Sequence, residues 1–240
     1  MTDPWVLVTC EHGGREVPSS HADHFVGRDA VLDTHRGWDP GALQMGRELA
    51  CRLGVPLFAS TTTRLLIDLN RSIGHRRLFS EFTRGLSRAA RQEIIARHYR
   101  PHRDSVEGAV AARIAAGGRV IHIASHSFTP VLDGDVRRAD VAWLYDPRRA
   151  EEARVSGLWI DALATRNPVL RLRRNNPYRG RCDGLTALLR KRFPETVYVG
   201  IELEVNQRFV EAGGDPWDAL RSDIVESLAA VLPVPPIRAA

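Results

Sequence analysis

Short apolar runs and longer stretches of helical periodicity alternate along this chain. Apolar or alternating runs predict seven β-strands, at residues 5–10, 57–60, 65–69, 119–125, 141–145, 169–173 and 197–205. Apolar residues recur at helical spacing in five stretches, at residues 40–53, 87–116, 149–165, 184–193 and 217–232. Pro101 lies inside the second of these stretches and predicts a break in that helix. Residues 233–240 are expected to be loose.

The alternation of strands and helices predicts the fold class. Helices that connect successive strands pack on the two faces of a sheet. We therefore expect an α/β protein with a mixed, mostly parallel sheet and helices on both faces. No composition shift, repeat or linker divides the chain, which predicts one domain over residues 1–240. With 240 residues, 43% of them hydrophobic, the chain can bury one large core.

Charge and hydropathy exclude several classes of partner. The net charge of +5 comes from 34 basic residues, of which Lys191 is the only lysine, against 29 acidic ones. Acidic residues are interspersed among the arginines and no nucleic-acid-binding module is recognisable, so nucleic acid is not an expected partner. No apolar run has the length of a membrane span, and the first residues do not resemble a signal peptide. We therefore expect a cytoplasmic protein with no membrane partner.

Two histidines follow predicted buried strands. His12 comes after the strand at residues 5–10, and His126 comes directly after the strand at residues 119–125. Ligands of α/β proteins bind at the carboxyl ends of the strands, so these two imidazoles are candidate metal ligands. A histidine that only forms hydrogen bonds within its loop would produce the same pattern, and that alternative stays open.

Several carboxylates are candidates to complete such a site. Asp39 precedes the first predicted helix and is either its N-cap or a metal ligand. Glu16 lies close to the first histidine and is either a surface residue or a second candidate ligand. In the strand at residues 197–205, Glu202 and Glu204 lie on the face opposite the apolar residues. That face is either exposed to solvent or directs one of the two carboxylates at a reacting water.

Two polar segments are candidates for substrate binding. Asn70 and Arg71 follow an apolar run, and a guanidinium there can bind a carboxylate through two parallel N–H donors. Asn176 and Tyr178 belong to a segment that is typical of a turn, and their side chains can also line a pocket.

Taken together, the motifs resemble one enzyme family. They are residues 11–14 (EHGG), 17–18 (VP), 35–39 (HRGWD), 68–71 (DLNR), 125–130 (SHSFTP), 176–180 (NPYRG), 184–186 (GLT) and 200–204 (GIELE). Their order and spacing from residue 6 to about residue 208 are similar to those of the N-formylglutamate amidohydrolases. Each motif alone is weak evidence for a family, but eight motifs in the same order make the resemblance specific.

The resemblance implies a fold and a set of functional residues. The family is similar to the zinc carboxypeptidases and acyl-glutamate deacylases in fold and in the order of its functional parts. By this resemblance, His12, a carboxylate and His126 bind zinc or another divalent metal. Asn70 and Arg71 bind the substrate carboxylate, and Glu204 is the general base.

The second metal ligand departs from the carboxypeptidase pattern. That pattern has a glutamate three residues after the first histidine, whereas this chain has Arg15 there and Glu16 one position too far along. Asp39 is therefore the preferred carboxylate ligand.

The function implied is that of a zinc-dependent amidohydrolase. It would cleave the N-formyl or another N-acyl group from an acidic amino acid such as N-formylglutamate, a small-molecule substrate. Asn176 and Tyr178 would bind this substrate beside Arg71. Two alternatives stay open: a deacylase or amidase for other N-acyl amino acids or peptides, and a relative that binds a metal or an anion without catalysis.

Overall fold

The computed structural model describes residues 4–232, so the predicted loose tail lies outside the described residues. The strands in this part of the chain are β1 (Trp5–Cys10), β2 (Leu57–Ala59), β3 (Val120–Phe128), β4 (Val131–Leu132), β5 (Asp135–Val136), β6 (Val141–Leu144), β7 (Leu172–Arg174) and β8 (Tyr198–Asn206). The α-helices are α1 (Asp29–Leu32), α2 (Ala42–Leu53), α3 (Arg88–Ile94), α4 (Arg100–Ala115), α5 (Ala150–Arg166), α6 (Leu185–Arg192), α7 (Arg208–Ala212) and α8 (Gly214–Val231). A 3₁₀ segment at Ser19–Phe25 and a π-helical turn at Ile95–Tyr99 complete the helical elements.

Six strands form one sheet in the order β2-β1-β3-β8-β6-β7. The four strands from β2 to β8 are parallel to their neighbours, β6 is antiparallel to β8, and β7 is parallel to β6. The prediction of a mixed, mostly parallel sheet is therefore confirmed. The short strands β4 and β5 form a separate antiparallel hairpin.

Helices cover both faces of this sheet, as predicted. On one face, residues of β1, β3, β6 and β8 pack with α2, α5 and α8 in a core that includes Met45, Trp159 and Leu220. On the other face, Leu7 and Tyr198 pack against α4 and α6. None of the helices described between residues 4 and 232 is both long enough and apolar enough to cross a bilayer.

The prediction of a strand at residues 65–69 is wrong. Backbone hydrogen bonds from the Leu66 N–H to the Thr63 carbonyl and from the Arg71 N–H to the Asp68 carbonyl form turns in this segment. Its leucines and Ile67 are buried in a second, smaller apolar cluster outside the sheet. A short apolar run predicts burial, but it does not distinguish a strand from a buried turn.

The break predicted near Pro101 takes the form of a π-helical turn, and the helical segment continues through it. Pro101 lies in the first turn of α4, where its missing N–H breaks no intrahelical hydrogen bond. The irregularity lies just before it, in the π-helical turn that connects α3 to α4.

Candidate metal and active site

Three predicted metal ligands meet at the carboxyl edge of the central strands. His12 follows β1, Asp39 precedes α2, and His126 lies near the end of β3 rather than after it. One ligand atom from each of the three side chains lies within 4.8 Å of the others, and all three residues are buried. The structure thus brings together residues that are separated by up to 114 positions in the sequence.

Each histidine directs its two ring nitrogens at two different carboxylates. Nδ1 of His12 lies 3.3 Å from Asp39 Oδ2, and Nδ1 of His126 lies 2.9 Å from the same oxygen. Nε2 of His12 lies 2.7 Å from Asp68 Oδ1, and Nε2 of His126 lies 3.1 Å from Glu11 Oε2. Histidines that bind metals commonly have one nitrogen on the metal and the other oriented by a carboxylate. This arrangement therefore fits a metal held by the two Nδ1 atoms and Asp39.

Salt bridges and hydrogen bonds keep the surrounding carboxylates ionised. Arg64 donates to Asp39 Oδ1 at 2.8 Å and to Asp68 Oδ2 at 3.2 Å. Burial alone would raise the pKa of Asp39, but His12 and Arg64 outweigh burial and hold this pKa well below its usual range. Hydrogen bonds with His102 and His126 likewise outweigh burial and lower the pKa of Glu11. Ionised carboxylates and imidazoles are the ligands that a divalent metal such as zinc requires.

Asp39 is not the N-cap of α2. That position is taken by Gly41, and the Asp39 side chain points to the two histidines instead. The other candidate ligand, Glu16, is exposed and accepts a hydrogen bond from the Thr61 hydroxyl at 2.6 Å. Its place outside the cluster supports the choice of Asp39 as ligand.

The acidic face of β8 points into the protein rather than into solvent. Glu202 is 9% exposed and Glu204 is 6% exposed, so the solvent-facing interpretation of this strand is wrong. Glu202 accepts a hydrogen bond from the Thr186 hydroxyl. Glu204 pairs with His126 in the register of β3 and β8, and its Oε2 has no hydrogen-bond partner among residues 4–232. Burial raises the pKa of Glu204 to about 8.

This shifted pKa predicts a pH dependence of stability in the metal-free protein. The folded state retains the proton of Glu204 up to about pH 8, whereas the unfolded chain loses it near its ordinary value of ~4.3. The free energy of unfolding should therefore fall as pH rises from 5 to 8, by about 1–3 kcal/mol from this group. In Glu204→Gln, this contribution to the decrease in the free energy of unfolding between pH 5 and 8 should be absent. Urea unfolding in the presence of a chelator measures it. Parallel pH profiles of the variant and the parent protein would contradict the assignment.

Both glutamates line a cavity of about 860 Å³ that opens at this edge of the sheet. The proposed metal ligands lie in its wall, together with Asn70, Arg71 and Tyr178. Asn176 is exposed and does not line the cavity, so the structure does not bring it to the other predicted substrate-binding residues.

The predicted Asn-Arg pair lies beside the metal cluster. Asn70 accepts a hydrogen bond from the Leu185 N–H at 2.7 Å, and its Nδ2 lies 3.4 Å from His126 Nε2. Arg71 donates one N–H to the carbonyl of Asp183. Its Nε is buried and has no hydrogen-bond partner among the described residues. Arg71 therefore has donor capacity left for a ligand.

Tyr178 lies at the exposed mouth of the cavity. It is 42% exposed, and Arg137 donates a hydrogen bond to its hydroxyl at 2.8 Å. The Arg137 guanidinium also lies over the ring, 5.0 Å from its centroid.

Sequence reasoning missed the residues that orient the proposed ligands. Glu11 and Asp68 belong to the motifs that carry the family resemblance, but nothing in their spacing showed that they contact His126 and His12. Arg64 belongs to none of those motifs. The available signals were Glu11 directly before His12 and Asp68 two residues before Asn70, whereas no predicted site residue lies near Arg64 in the sequence.

Solved structures with similar folds support the overall architecture. A gene product of Agrobacterium tumefaciens is 27% identical to this chain, with a TM-score of 0.79 over 94% of this chain and 89% of the other. The N-formylglutamate amidohydrolase of Ralstonia eutropha is 18% identical, with a TM-score of 0.72 over 96% of this chain and 93% of its own. No curated protein sequence matches the chain.

The fold and the buried acid–histidine cluster in its cavity are features of a hydrolytic α/β enzyme. The family model of the N-formylglutamate amidohydrolases matches residues 5–210, and the chain belongs to this family. It is therefore a hydrolase that acts on amides.

Proposed function

We propose that this protein is a metal-dependent amidohydrolase that removes the N-formyl group, or another N-acyl group, from an acidic amino acid such as N-formylglutamate. One observation carries the proposal: the unpartnered carboxylate of Glu204 shares a cavity with the cluster of His12, Asp39 and His126. A buried carboxylate with a raised pKa, next to a metal-ligating set, is the arrangement that hydrolysis of an amide requires.

Each residue of the cluster has a role in this reaction. His12, Asp39 and His126 would hold the metal, zinc or another divalent ion, which would supply a Lewis acid for the amide carbonyl. Glu204 accepts the proton of the attacking water and passes it to the nitrogen of the leaving amino acid. A bound cation would also lower the pKa of Glu204 from about 8, which favours the ionised base at neutral pH. The products are formate, or another carboxylic acid, and the free amino acid.

Arg71 binds the carboxylate of the substrate, with Asn70 and Tyr178 beside it. The unpartnered Nε of Arg71 and its position on the cavity wall support this role. Asn176 had the same predicted role; it is exposed and does not line the cavity, whereas Pro177 and Tyr178 of the same segment do.

Replacement of Arg71 should reduce catalytic efficiency. Truncating one partner of a buried charge pair costs ~2–5 kcal/mol, so Arg71→Ala should lower kcat/KM for N-formylglutamate by roughly thirtyfold or more. Arg71→Lys should restore little, because lysine lacks the planar pair of donors. Steady-state kinetics of both variants test this. Unchanged kinetics for Arg71→Ala would assign the carboxylate to another arginine of the cavity wall, with Arg179 as the next candidate.

The carboxylates around the cluster should differ in their effect on metal affinity. Asp39→Ala should weaken metal binding markedly because it removes a ligand. Glu11→Gln removes only the group that orients His126 and should weaken binding by about 10–100-fold. Glu16→Ala is the matched control and should bind the metal like the parent protein. Titration with zinc against a competing chelator measures all three, and a large effect of Glu16→Ala alone would contradict the ligand assignment.

Two measurements on the purified protein test the proposed function. Metal analysis should find about one divalent ion per chain, and a screen of N-formyl amino acids should detect formate release, with N-formylglutamate among the preferred substrates. Metal without hydrolysis of any N-acyl amino acid would favour the non-catalytic alternative.

The size of the cavity favours a second class of substrate. Clefts of about 300–1,000 Å³ usually bind drug-sized ligands, and N-formylglutamate is much smaller than these. The cavity of about 860 Å³ has room for a longer acyl group or for an N-acyl peptide. The same screen should therefore include longer N-acyl amino acids and short N-formyl peptides.

A further inference from the structure

The outer part of the cavity is rich in arginine. Arg64 and Arg71 lie beside the buried carboxylates, and five more arginines line the cavity, all of them exposed: Arg36, Arg76, Arg77, Arg84 and Arg179. Arg36 forms a salt bridge with Glu81. For the other four, no carboxylate oxygen of the described residues lies within salt-bridge distance. These four arginines are called the outer arginines below.

Most carboxylates of the cavity lie deeper than the outer arginines. The carboxylates of Asp39, Asp68, Glu202 and Glu204 are buried, whereas the outer arginines are exposed. Two further carboxylates line the cavity and both have partners: Glu81 pairs with Arg36, and Asp183 accepts hydrogen bonds from Ser72. Arg64 already neutralises two of the buried carboxylates through its salt bridges. The outer arginines therefore retain their positive charge at the entrance, where an approaching anion meets them first.

N-formylglutamate offers too few carboxylates for this surface. One of its two carboxylates is assigned to Arg71, and the other can neutralise only one of the four outer arginines. The other outer arginines would then have no anionic partner.

We propose that the preferred substrate carries at least one further anionic group beyond the released amino acid and its carboxylates, and that the outer arginines bind this group. The inference rests on the proposed function and narrows its substrate to a class: N-acyl amino acids or short peptides with three or more carboxylates. Guanidinium groups bind carboxylates through paired N–H donors, which makes the cluster selective for such acids.

Matched ligands that differ only in one charge test this inference. N-formyl-glutamyl-glutamate is compared with N-formyl-glutamyl-glutamine, and N-succinylglutamate with its succinamoyl analogue, in which an amide replaces the succinyl carboxylate. Each pair thus compares three carboxylates with two. The two pairs place the extra carboxylate on the amino-acid side and on the acyl side respectively. In at least one pair, we expect the ligand with three carboxylates to have a kcat/KM about tenfold higher at low salt than the ligand with two. This ratio of kcat/KM values should be smaller at high salt because exposed charges are screened.

Paired variants assign the effect to the outer arginines. Arg76→Ala/Arg77→Ala should reduce the ratio of kcat/KM between the ligands with three and with two carboxylates to about one. Arg47→Ala/Arg88→Ala makes the same change in net charge at exposed positions outside the cavity and should keep the ratio. Equal rates within both pairs, or a ratio that survives in Arg76→Ala/Arg77→Ala, would overturn the inference.

A binding measurement separates this inference from the proposed function. Dissociation constants of the same four ligands are measured by calorimetry on the zinc-loaded Glu204→Gln protein, where turnover is not required. If the parent protein cleaves no ligand, the proposed function fails, and the ratio of dissociation constants still tests the outer arginines. If N-formylglutamate is cleaved but neither kcat/KM nor the dissociation constant differs within either pair, the proposed function holds and only the inference about the outer arginines fails.

Discussion

The double variant His12→Ala/His126→Ala should contain no bound zinc and should have no activity above background. Both imidazoles direct Nδ1 at Asp39, so their removal leaves one carboxylate as the only ligand. A single carboxylate does not retain a divalent metal against a chelator, since catalytic zinc sites use three protein ligands. Metal content after dialysis, measured by mass spectrometry, and formate release test this expectation.

Two further variants make the result interpretable. The double variant removes one imidazole partner from Glu11 and one from Asp68, which leaves them with His102 and Arg64 respectively and can destabilise the fold because buried charges are costly when a partner is lost. Asp39→Asn keeps the shape of the site and should still weaken zinc binding. His24→Ala/His75→Ala removes two histidines outside the cluster and should retain the metal. Full occupancy in the folded His12→Ala/His126→Ala protein would refute the metal site.

Glu204→Gln should separate catalysis from metal binding. The substitution keeps the size of the side chain but cannot accept a proton from water, so kcat should fall by at least ~10²-fold. Zinc content should be unchanged, because Glu204 is not one of the three proposed ligands. Melting in the presence of zinc should also be close to that of the parent protein.

Glu202→Gln is the matched control on the same strand. Its carboxylate accepts the Thr186 hydroxyl, whereas Oε2 of Glu204 has no partner among the described residues. Glu202→Gln should therefore stay close to the parent protein in kcat. Normal turnover by Glu204→Gln together with an inactive Glu202→Gln would show that the two roles are exchanged.

Alternation and helical periodicity predicted most of the sheet and its helices. The strict alternation in β8 correctly divided the apolar residues, which pack in the core, from the glutamates on the other face. It could not show whether that second face meets solvent or a cavity, because this depends on segments far away in the sequence. The prediction of a strand at residues 65–69 failed for a related reason. These apolar residues are buried in a second cluster that only the tertiary structure creates.

The candidate site could be predicted in part. The positions of His12 and His126 near the ends of parallel strands followed from the pattern of the chain. The contacts of Glu11, Asp68 and Arg64 did not, because each depends on the direction of a side chain in a loop or turn. Asn176 shows the reverse limit, since a polar residue in a motif can still lie outside the cavity lining.

Glu204 lies on a strand that is hydrogen-bonded on both sides, to His126 of β3 and to Ala142 of β6. A base at such a position cannot swing towards its substrate, so the substrate must be brought to it. The segments that do this are loops, such as residues 71–84, and loops accept changes in sequence more readily than central strands. Substrate range should therefore diverge among descendants of this chain by exchange of loop residues, while the reaction itself is inherited unchanged with the strands.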